Sequence, residues 1–391
     1  MSNDKQPEIR FPGFAEDWKQ RKLIEGVSKI GDGLHGTPSY SEDGDVFFIN
    51  GNNLVNGKIS ITKETKFVNE SDQSKDDKSL NVNTILMSIN GTIGNLAWYN
   101  NEKVMLGKSI AYLTVSDFDK NFVYFYLQTP MMRKYFISNL TGTTIKNLGL
   151  KTIRNTELFV ADLDEQQKIG SFFKQLDDTI ALHQRKLDLL KETKKGFLQK
   201  MFPKNGAKVP EIRFSGFTED WEERRLQEVV DRYDNLRIPI TASKRVAGNT
   251  PYYGANGIQG YVEGYTHDGE FILVAEDGAN DLKNYPVQYV DGKVWVNNHA
   301  HVIQAKENLA DNMFLMNAIR SINIEPFLVG GGRAKLNADV LMKLEVIMPL
   351  KSEQQKIGAF FKQLDDTIAL HQRKLDLLKE TKKGFLQKMF V

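Results

Sequence analysis

Residues 165–202 read EQQKIGSFFKQLDDTIALHQRKLDLLKETKKGFLQKMF, and residues 353–390 repeat this stretch with one change, Ser171 to Ala359. A second, shorter repeat pairs PEIRFPGFAEDWKQRKL at 7–23 with PEIRFSGFTEDWEERRL at 210–226. The blocks between the repeats, about 24–164 and 227–352, show no obvious similarity to each other. The chain therefore consists of two copies of the same pair of repeated segments, and each pair encloses a different block of sequence.

The long repeat has the pattern of a helix with a heptad seam. Its apolar residues alternate at spacings of four and three, and His183 and Lys194 interrupt the seam as polar layers that would set the register. Asp164 and Ser352, each with a glutamine three residues later, are the expected N-caps. Each helix would be about 57 Å long. The predicted seam residues are Ile169, Phe173, Leu176, Ile180, Leu187, Leu190 and Phe197 in the first copy, and Ile357, Phe361, Leu364, Ile368, Leu375, Leu378 and Phe385 in the second.

A single helix of this kind cannot bury its apolar stripe alone. The identical stripe of the other copy is the expected partner. An antiparallel pair would place the two unique blocks at opposite ends, related by a pseudo-two-fold axis. A coiled coil between separate chains is the alternative interpretation of the same stripe.

The composition places limits on the class of protein. The chain has no cysteine, which excludes disulfides and cysteine-ligated zinc. It shows no apolar run typical of a signal peptide or a membrane span, so we expect a cytoplasmic protein. The formal charge is only +2, yet each long repeat carries eight Lys or Arg against five Asp or Glu. Bulk charge therefore does not by itself indicate a nucleic-acid partner.

The two unique blocks have the mixed pattern of α+β domains. Short apolar runs at 46–49, 84–89, 96–99 and 108–115 predict strands in the first block, between glycine-rich turns. A helix over 121–139 should be interrupted near Pro130. The second block has similar runs at 271–280 and 293–304, and an apolar helix near 311–322.

No catalytic constellation stands out from the residues. Gly107-Lys108-Ser109 resembles the end of a P-loop, but the earlier glycine of that motif is missing. His299 and His301 are better explained as hydrogen-bonded polar side chains than as metal ligands. Glu276-Asp277 could form an acid–base pair, although a turn after an apolar strand is the simpler account. We therefore expect a chain that is not itself an enzyme.

The polar loops of both blocks suit the reading of DNA base edges. Arginine favours guanine, and asparagine or glutamine favours adenine. The candidate residues are His35, Thr37, Tyr40, Asn52, Asn53, Lys146 and Asn147 in the first block, and Arg237, Lys244, Arg245, Tyr252, Tyr253, Asn256, Arg333 and Lys335 in the second.

Over nearly its whole length the sequence resembles the specificity subunits of Type I restriction-modification systems. The paired EQQKIG…FLQKMF segments look like that family's two conserved helical regions, and the two leaders with their Gly-Phe and Asp-Trp pairs match as well. Segments 252–257, 276–278 and 297–299 are similar to one common type of target recognition domain. Segments 36–38 and 88–94 are similar to another.

The resemblance implies an α+β fold in which two mixed α/β target recognition domains, 1–164 and 203–352, are separated by two long antiparallel coiled-coil helices, 165–202 and 353–391, with pseudo-two-fold symmetry. Each domain would read one half of a split DNA target, and the helices would fix the gap and dock partners. Two modification subunits using S-adenosylmethionine would methylate adenines. Two restriction subunits using ATP and Mg²⁺ would cut unmodified DNA as a defence against phage. This chain would bind no cofactor and no metal. A coiled-coil adapter that binds only proteins is the alternative function.

Inserting one heptad between Lys186 and Lys195 should change the length of the unread gap or abolish activity, because the helices would act as a ruler. The two half-sites themselves should stay the same. Methylation motifs in cells that carry the complete system are the measurement. Altered half-site bases would contradict the assignment of roles.

Overall fold

The computed structural model describes residues 6–144, 146–204, 206–331 and 333–391. It divides into two compact units. Unit 1 consists of residues 1–184 and 374–391, and unit 2 consists of residues 185–373. Unit 1 is therefore built from two separate stretches of the chain, and unit 2 from one. The predicted domain boundaries stay a prediction.

Unit 1 contains mixed helix and strand. Its strands are β1 (Lys19–Lys22), β2 (Val27–Asp32), β3 (Val46–Ile49), β4 (Leu54–Val55), β5 (Lys58–Ile59), β6 (Phe67–Val68), β7 (Thr84–Ser88), β8 (Leu96–Trp98), β9 (Val104–Leu106), β10 (Ile110–Val115) and β11 (Glu157–Val160). Its helices are α1 (Lys120–Tyr126), α2 (Pro130–Ser138), α3 (Leu150–Arg154), the first part of α4 (Leu163–Lys200) and the last part of α8 (Lys351–Lys388). Single 3-10 turns lie at Leu23–Gly26, Gly51–Asn53, Glu70–Asp72 and Asp77–Ser79.

Unit 2 has the same kinds of element. Its strands are β12 (Glu222–Arg225), β13 (Val230–Arg232), β14 (Ala247–Gly254), β15 (Gly257–Val262), β16 (His267–Asp268), β17 (Phe271–Ala275), β18 (Val287–Val290), β19 (Lys293–Val296), β20 (Ala300–Ala305) and β21 (Glu345–Met348). Its helices are the rest of α4, α5 (Leu226–Val229), α6 (Asn312–Ser321), α7 (Ala338–Lys343) and the first part of α8 (Lys351–Lys388). Further 3-10 turns lie at Asp234–Leu236, Ala242–Lys244 and Glu325–Phe327.

The two units share one topology although their unique blocks do not resemble each other in sequence. The central antiparallel sheet has the order β2-β10-β7-β8 in unit 1 and β13-β20-β17-β18 in unit 2. A parallel pair recurs as β3 with β9 and as β14 with β19. The strand after each leader pairs with the strand before each long helix, as β1 with β11 and β12 with β21. The α+β class is confirmed, and the two blocks are two versions of one domain fold.

Local sequence explains these elements. Strand β7 is buried along its whole length, so its sequence, TILMS, is almost continuously apolar rather than alternating. Pro130 stands at the start of α2, where a missing N–H costs nothing, and the Thr129 side chain caps the Met132 N–H. The predicted interruption near Pro130 is thereby confirmed.

The core of each unit includes aromatic side chains from both long helices. In unit 1, Phe173 of α4 lies 5.6 Å from Phe390, which follows α8, and 5.2 Å from Phe125 of α1. Trp18 of the leader packs edge-on against Phe122 at 5.6 Å. Unit 2 repeats this cluster with the corresponding members of the repeats, which are Phe361, Phe202, Trp221 and Phe314.

A buried ion pair fastens each leader to the start of a long helix. The Arg10 Nε and Nη2 atoms donate to the two oxygens of Glu165 at 2.7 and 2.8 Å, and the Glu165 side chain is fully buried. Arg213 and Glu353 form the same two bonds, each at 2.8 Å. The copies differ in one respect, since the Trp18 indole donates to Glu165 whereas the indole of Trp221 has no partner among the described residues.

The next residues of the repeat fix each long helix to its unit. Gln166 accepts a hydrogen bond from the Asp119 N–H at 2.9 Å, and Asp119 caps α1. Gln354 accepts from the Asp311 N–H at 3.1 Å, and Asp311 caps α6. At Gly170 the helix runs so close to α1 that an added Cβ would lie 2.4 Å from the Asp119 carboxylate. The repeated EQQKIG sequence is thus a docking motif for the neighbouring domain helix.

The two long helices contact each other in antiparallel fashion inside each unit. In unit 1, Phe172 packs edge-on against Phe385 at 5.2 Å, and Lys382 pairs with Asp177 at 2.7 Å. In unit 2 the corresponding contacts are Phe360 with Phe197 at 5.0 Å and Lys194 with Asp365 at 2.5 Å. Each contact therefore occurs twice with the repeats exchanged, as expected for pairing within one chain.

The predicted seam residues fall into two groups by burial. Six of them are 0 to 1% exposed, namely Ile169, Phe173, Leu187, Ile357, Phe361 and Leu375. The other eight are half-buried. Phe173 and Phe361 pack into the domain cores as well as standing on the stripe. The polar layer at Lys194 is an ion pair to the other copy.

Both long helices begin before the predicted caps. Asp164 and Ser352 lie inside helices that start at Leu163 and Lys351. The Glu165 N–H donates to the Asp162 side chain at 2.8 Å, so Asp162 caps α4. The prediction for Asp164 and Ser352 is wrong. Only two residues separate β11 from α4 and β21 from α8, so each helix has already begun at the predicted cap.

Replacing Gly170 by alanine should lower the free energy of unfolding of unit 1 by about 1–3 kcal/mol, because the new methyl group would overlap α1. Gly384, which lies in the second helix copy of the same unit and has no atom within 4 Å of its Cβ position, is the matched control. Gly384→Ala should raise stability by up to about 1 kcal/mol through helix propensity. Urea unfolding measures both. Equal effects of the two substitutions would refute the close approach.

Candidate nucleic-acid interface

In unit 1 several polar loops gather at one edge of the sheet. Strands β3 and β9 are parallel, so their carboxyl ends lie side by side, and the loops after them meet. The Thr92 hydroxyl donates to the Gly51 carbonyl at 3.0 Å, and the Gly51 N–H donates to the Ser109 hydroxyl at 2.8 Å. Asn90 forms an isolated bridge with Asn147. The cluster is therefore formed by loops 50–53, 88–94, 107–109 and 141–147.

The unit 1 candidates divide into exposed and structural residues. Asn52 and Lys146 are exposed members of this cluster. Asn53 is structural, because its amide oxygen accepts from the Asn50 N–H and its amide nitrogen donates to the Ser60 carbonyl, both at 2.9 Å. Asn147 is half-buried, and its backbone N–H and carbonyl bond to those of Thr141 at 2.9 Å.

The remaining unit 1 candidates are His35, Thr37 and Tyr40. His35 and Thr37 are exposed and follow Leu34, which bridges to Gly107. The His35 ring lies 2.7 Å from the Asp32 carboxylate. Tyr40 stands apart, against Phe48 at 5.9 Å.

Lys108 is a candidate that sequence reasoning missed. It is exposed within the same loop cluster, between Gly107 and Ser109. The tripeptide lacks the earlier glycine of a P-loop, so its sequence alone gave no reason to single out Lys108. Its position directly after a buried strand that ends at the loop edge is the signal that could have identified it.

In unit 2 three separate segments converge on one loop, 276–281. The Asn256 amide donates to the Gly278 carbonyl at 2.9 Å, and the Asn280 N–H donates back to the Asn256 side chain at 3.0 Å. His299 lies 2.6 Å from Asp277, and Arg333 lies 2.9 Å from the same carboxylate oxygen. Segments 252–257, 276–278, 297–299 and 333–337 thus form one structural group.

A network of charges lies beneath this loop. The Arg237 Nη1 atom donates to Glu276 at 2.7 Å and to the Ala300 carbonyl at 2.8 Å. Lys335 pairs with the other Glu276 oxygen at 2.9 Å. His301 is buried with both ring nitrogens 2.8 Å from oxygens, of Asp234 on one side and Leu336 on the other. His299 and His301 are hydrogen-bonded side chains, as predicted.

The network shifts two carboxyl groups. Burial alone raises the pKa of Glu276, but the hydrogen bonds from Arg237 and Lys335 outweigh it, so the pKa lies below the ordinary value of 4.5. Burial likewise raises the pKa of Asp234, but the hydrogen bond and charge of His301, together with the Val302 N–H, outweigh burial, so this pKa also lies below its ordinary value. Both groups therefore stay ionised and hold the network together.

Several unit 2 candidates are structural or lie elsewhere. Arg237 is committed to the buried network. Tyr252 is 1% exposed, with the Arg245 guanidinium 4.0 Å above its ring centre. Tyr253 is half-buried against the second core of unit 2, and Lys244 is exposed on a separate 3-10 turn. The structure brings Asn256, Arg333 and Lys335 together.

The loop groups of the two units are equivalent. The pair of bridges that joins residue 147 to 90 and 141 in unit 1 joins residue 335 to 277 and 329 in unit 2. The Leu148 N–H donates to the Ile89 carbonyl at 2.8 Å, and the Leu336 N–H donates to the Glu276 backbone carbonyl at 2.7 Å. Both units therefore present an equivalent pair of bridged residues, Thr141 with Asn147 or Val329 with Lys335, with different side chains at the same place.

In the part of the chain that the structure describes, no three His, Cys, Asp or Glu side chains stand together in a way that could hold a metal ion. Within the same ranges, no helix has both the length and the apolar character needed to cross a lipid bilayer.

Comparison with protein families gives a match over most of the chain. The family model described as Type I restriction modification DNA specificity domain matches residues 15–192 and 218–380. Two matches in one chain agree with the two units of equal topology.

Two individual relatives and one solved structure are named as specificity, or S, subunits of type I restriction systems. A putative type I restriction enzyme specificity subunit of Haemophilus influenzae is 46% identical over 154 residues, which is 39% of either chain. The chain therefore matches about two-fifths of that relative's length. The putative MjaX specificity subunit of Methanocaldococcus jannaschii is 22% identical over 95% of this chain and 92% of its own length. The crystal structure of a Type I restriction-modification S subunit from M. genitalium covers 99% of both chains with a TM-score of 0.72 and 16% identity.

Replacing Glu276 by glutamine should reduce the loss of stability in acid. The folded pKa of Glu276 lies below its unfolded value, so its contribution to stability is present above pH 4.5 and is lost as the pH falls through the folded pKa. Glutamine does not titrate, so the free energy of unfolding of unit 2 should fall less steeply below pH 4.5. At neutral pH the variant should be less stable, because the largely buried Arg237 loses the nearer of its two carboxylate partners, with Asp234 remaining at 3.6 Å.

Urea unfolding over a pH series is the measurement. Glu307, an exposed residue of unit 2, supplies the control variant Glu307→Gln, whose pH slope should match that of the unaltered chain. An unchanged slope in Glu276→Gln would show that the network does not depend on this carboxylate.

Proposed function

Because the chain belongs to the family of Type I restriction modification DNA specificity domains, we propose that it is a specificity subunit whose two units each read one half of a bipartite DNA target. The observation that carries this proposal is the pair of equivalent loop groups. They stand at the same position in one fold but present different polar side chains. A common frame with unequal readers is what an asymmetric, split target requires.

The long helices would act as the spacer between the two readers. Their antiparallel contacts inside each unit are identical in kind, and each helix is fastened to a leader by a buried ion pair. A helix of this length can separate two readers by about one turn of DNA, roughly 34 Å. The proposed gap-setting role rests on the length of the helices and on these repeated contacts inside each unit.

The relatives named above are specificity subunits of type I restriction enzymes, so they are parts of larger assemblies. We infer that two modification subunits and two restriction subunits dock on this chain in the cytoplasm. The modification subunits would use S-adenosylmethionine to methylate an adenine in each half-site. The restriction subunits would use ATP and Mg²⁺. This chain would determine which DNA sequence is bound and would catalyse no reaction itself. A protein-only adapter has no support from the family or from the relatives.

Base contacts would come from the exposed members of the two loop groups. These are Asn52, Lys108 and Lys146 in unit 1, and Arg333 in unit 2. Lys335 is half-buried, and Asn256 is exposed but bonds to loop 276–281 through both ends of its amide. The net charge of +2 is small for a protein that binds DNA alone. The partner subunits would therefore supply much of the contact with phosphates.

Mapping methylated adenines in DNA from cells that carry the complete system tests the proposal. We expect one motif with two specific halves and a gap of fixed length, because two rigidly spaced readers bind together. Cells that lack only this chain are the control and should show no such motif. A continuous motif, or the same motif without the chain, would contradict the proposal.

A further inference from the structure

We propose that Arg333, held in place by Asp277 and His299, reads a guanine in the half-site of unit 2. This rests on the proposed function and adds the identity of one contact. The inference starts from the convergence of three sequence segments on loop 276–281, and each contributes one side chain, Asn256, His299 or Arg333, that is hydrogen-bonded to the loop.

Arg333 is exposed yet held in position. Its side chain is 60% exposed, whereas the Asp277 side chain that it contacts is only 21% exposed. The Nη2 atom donates to Asp277 at 2.9 Å. The guanidinium lies against Gly278, with Nε and Nη2 each 3.5 Å from the position a Cβ would take. Gly278 has a φ of +73°, so glycine suits both the backbone and the close approach.

His299 completes the hold. Its Nδ1 atom lies 2.6 Å from the Asp277 oxygen and 3.2 Å from the Arg333 Nη2 atom. An ionised carboxylate only accepts hydrogen bonds, so Nδ1 carries the proton and the histidine and the arginine both donate to Asp277. One carboxylate therefore orients both side chains, and Asp277 is a positioning residue.

Arg333 retains donors that the protein does not use. Among the described residues the only hydrogen bond of its side chain is the one that Nη2 donates to Asp277, so Nη1 and its N–H groups have none. The other cations of the group differ, because Arg237 and Lys335 pair with Glu276 beneath the loop and their side chains are less exposed, at 15% and 44%. Arg333 is therefore the cation of this group that presents an open donor edge to a ligand.

A fixed guanidinium with open N–H donors matches guanine among the bases. The N7 and O6 atoms of guanine form two adjacent acceptors in the major groove, and arginine binds them through two parallel hydrogen bonds. Adenine presents a donor beside N7, which would face an arginine donor. Holding the side chain before binding also reduces the loss of conformational entropy.

The test uses the chain in complex with its modification subunits and selects duplexes from a random-sequence library. Thermal unfolding first establishes that each variant is folded. The selected motif of the unaltered complex then defines the reference. Arg333→Ala should lose discrimination at one G·C pair in one half of the motif by about 5- to 150-fold, with all other positions unchanged. Arg333→Lys should retain part of it, because lysine reaches guanine without the planar fork.

Two further variants separate reading from structure. Asp277→Asn should weaken discrimination at the same G·C pair, which a merely structural role would not do selectively. Arg224→Ala is the matched control, since Arg224 is a half-exposed arginine of unit 2 that pairs with Glu222 at 2.6 Å on β12. It should leave the motif unchanged.

Each contrary outcome has a distinct meaning. A uniform loss of affinity for all duplexes in Arg333→Ala, with a salt slope reduced by about 1, would make Arg333 a phosphate contact and overturn the inference. An unchanged motif would overturn it as well. If the unaltered complex selects no split motif, the proposed function fails instead.

Discussion

The buried ion pair between a leader arginine and the first turn of a long helix determines how each unit is assembled. Arg10 with Glu165, and Arg213 with Glu353, bring the leader tryptophan and the helix into one core. Removing one partner from such a pair leaves a buried charge and typically costs about 3–5 kcal/mol. The leader and the long helix are therefore duplicated together, since neither has its buried partner without the other.

Much of the frame could be predicted from the sequence, because the repeats are nearly identical and the apolar spacing of 165–202 is regular. The helix starts could not. Their N–H groups bond to Asp162 in one copy and to the Leu350 carbonyl in the other, which no shared sequence signal marks. The common topology of the two blocks could not be predicted from the sequence either. It resides in the pairing of strands such as β10 and β20, whose sequences fit the same sheet position without being alike.

The residues of the candidate site could not be predicted fully, for a different reason. A polar side chain in a loop can face a ligand or can bond to its own backbone, and composition does not separate the two. Asn52 is exposed while its neighbour Asn53 holds the loop. Arg237 was a candidate for DNA contact but lies in the buried network with Glu276. The setting of Arg333 depends on a carboxylate 56 residues away, which a linear pattern cannot reveal.

The split composition of unit 1 has a consequence for biosynthesis. Unit 2 is one continuous stretch, whereas unit 1 closes only with residues 374–391, where Phe390 packs against Trp18 and the Val391 carbonyl accepts from the Tyr126 hydroxyl at 2.7 Å. During translation the core of unit 1 stays incomplete, with apolar surface exposed, until the whole of unit 2 and residues 374–391 have been synthesised. The amino-terminal unit is thus the later one to mature. The interval before it closes is the period in which a nascent chain is most exposed to aggregation and has most need of chaperones.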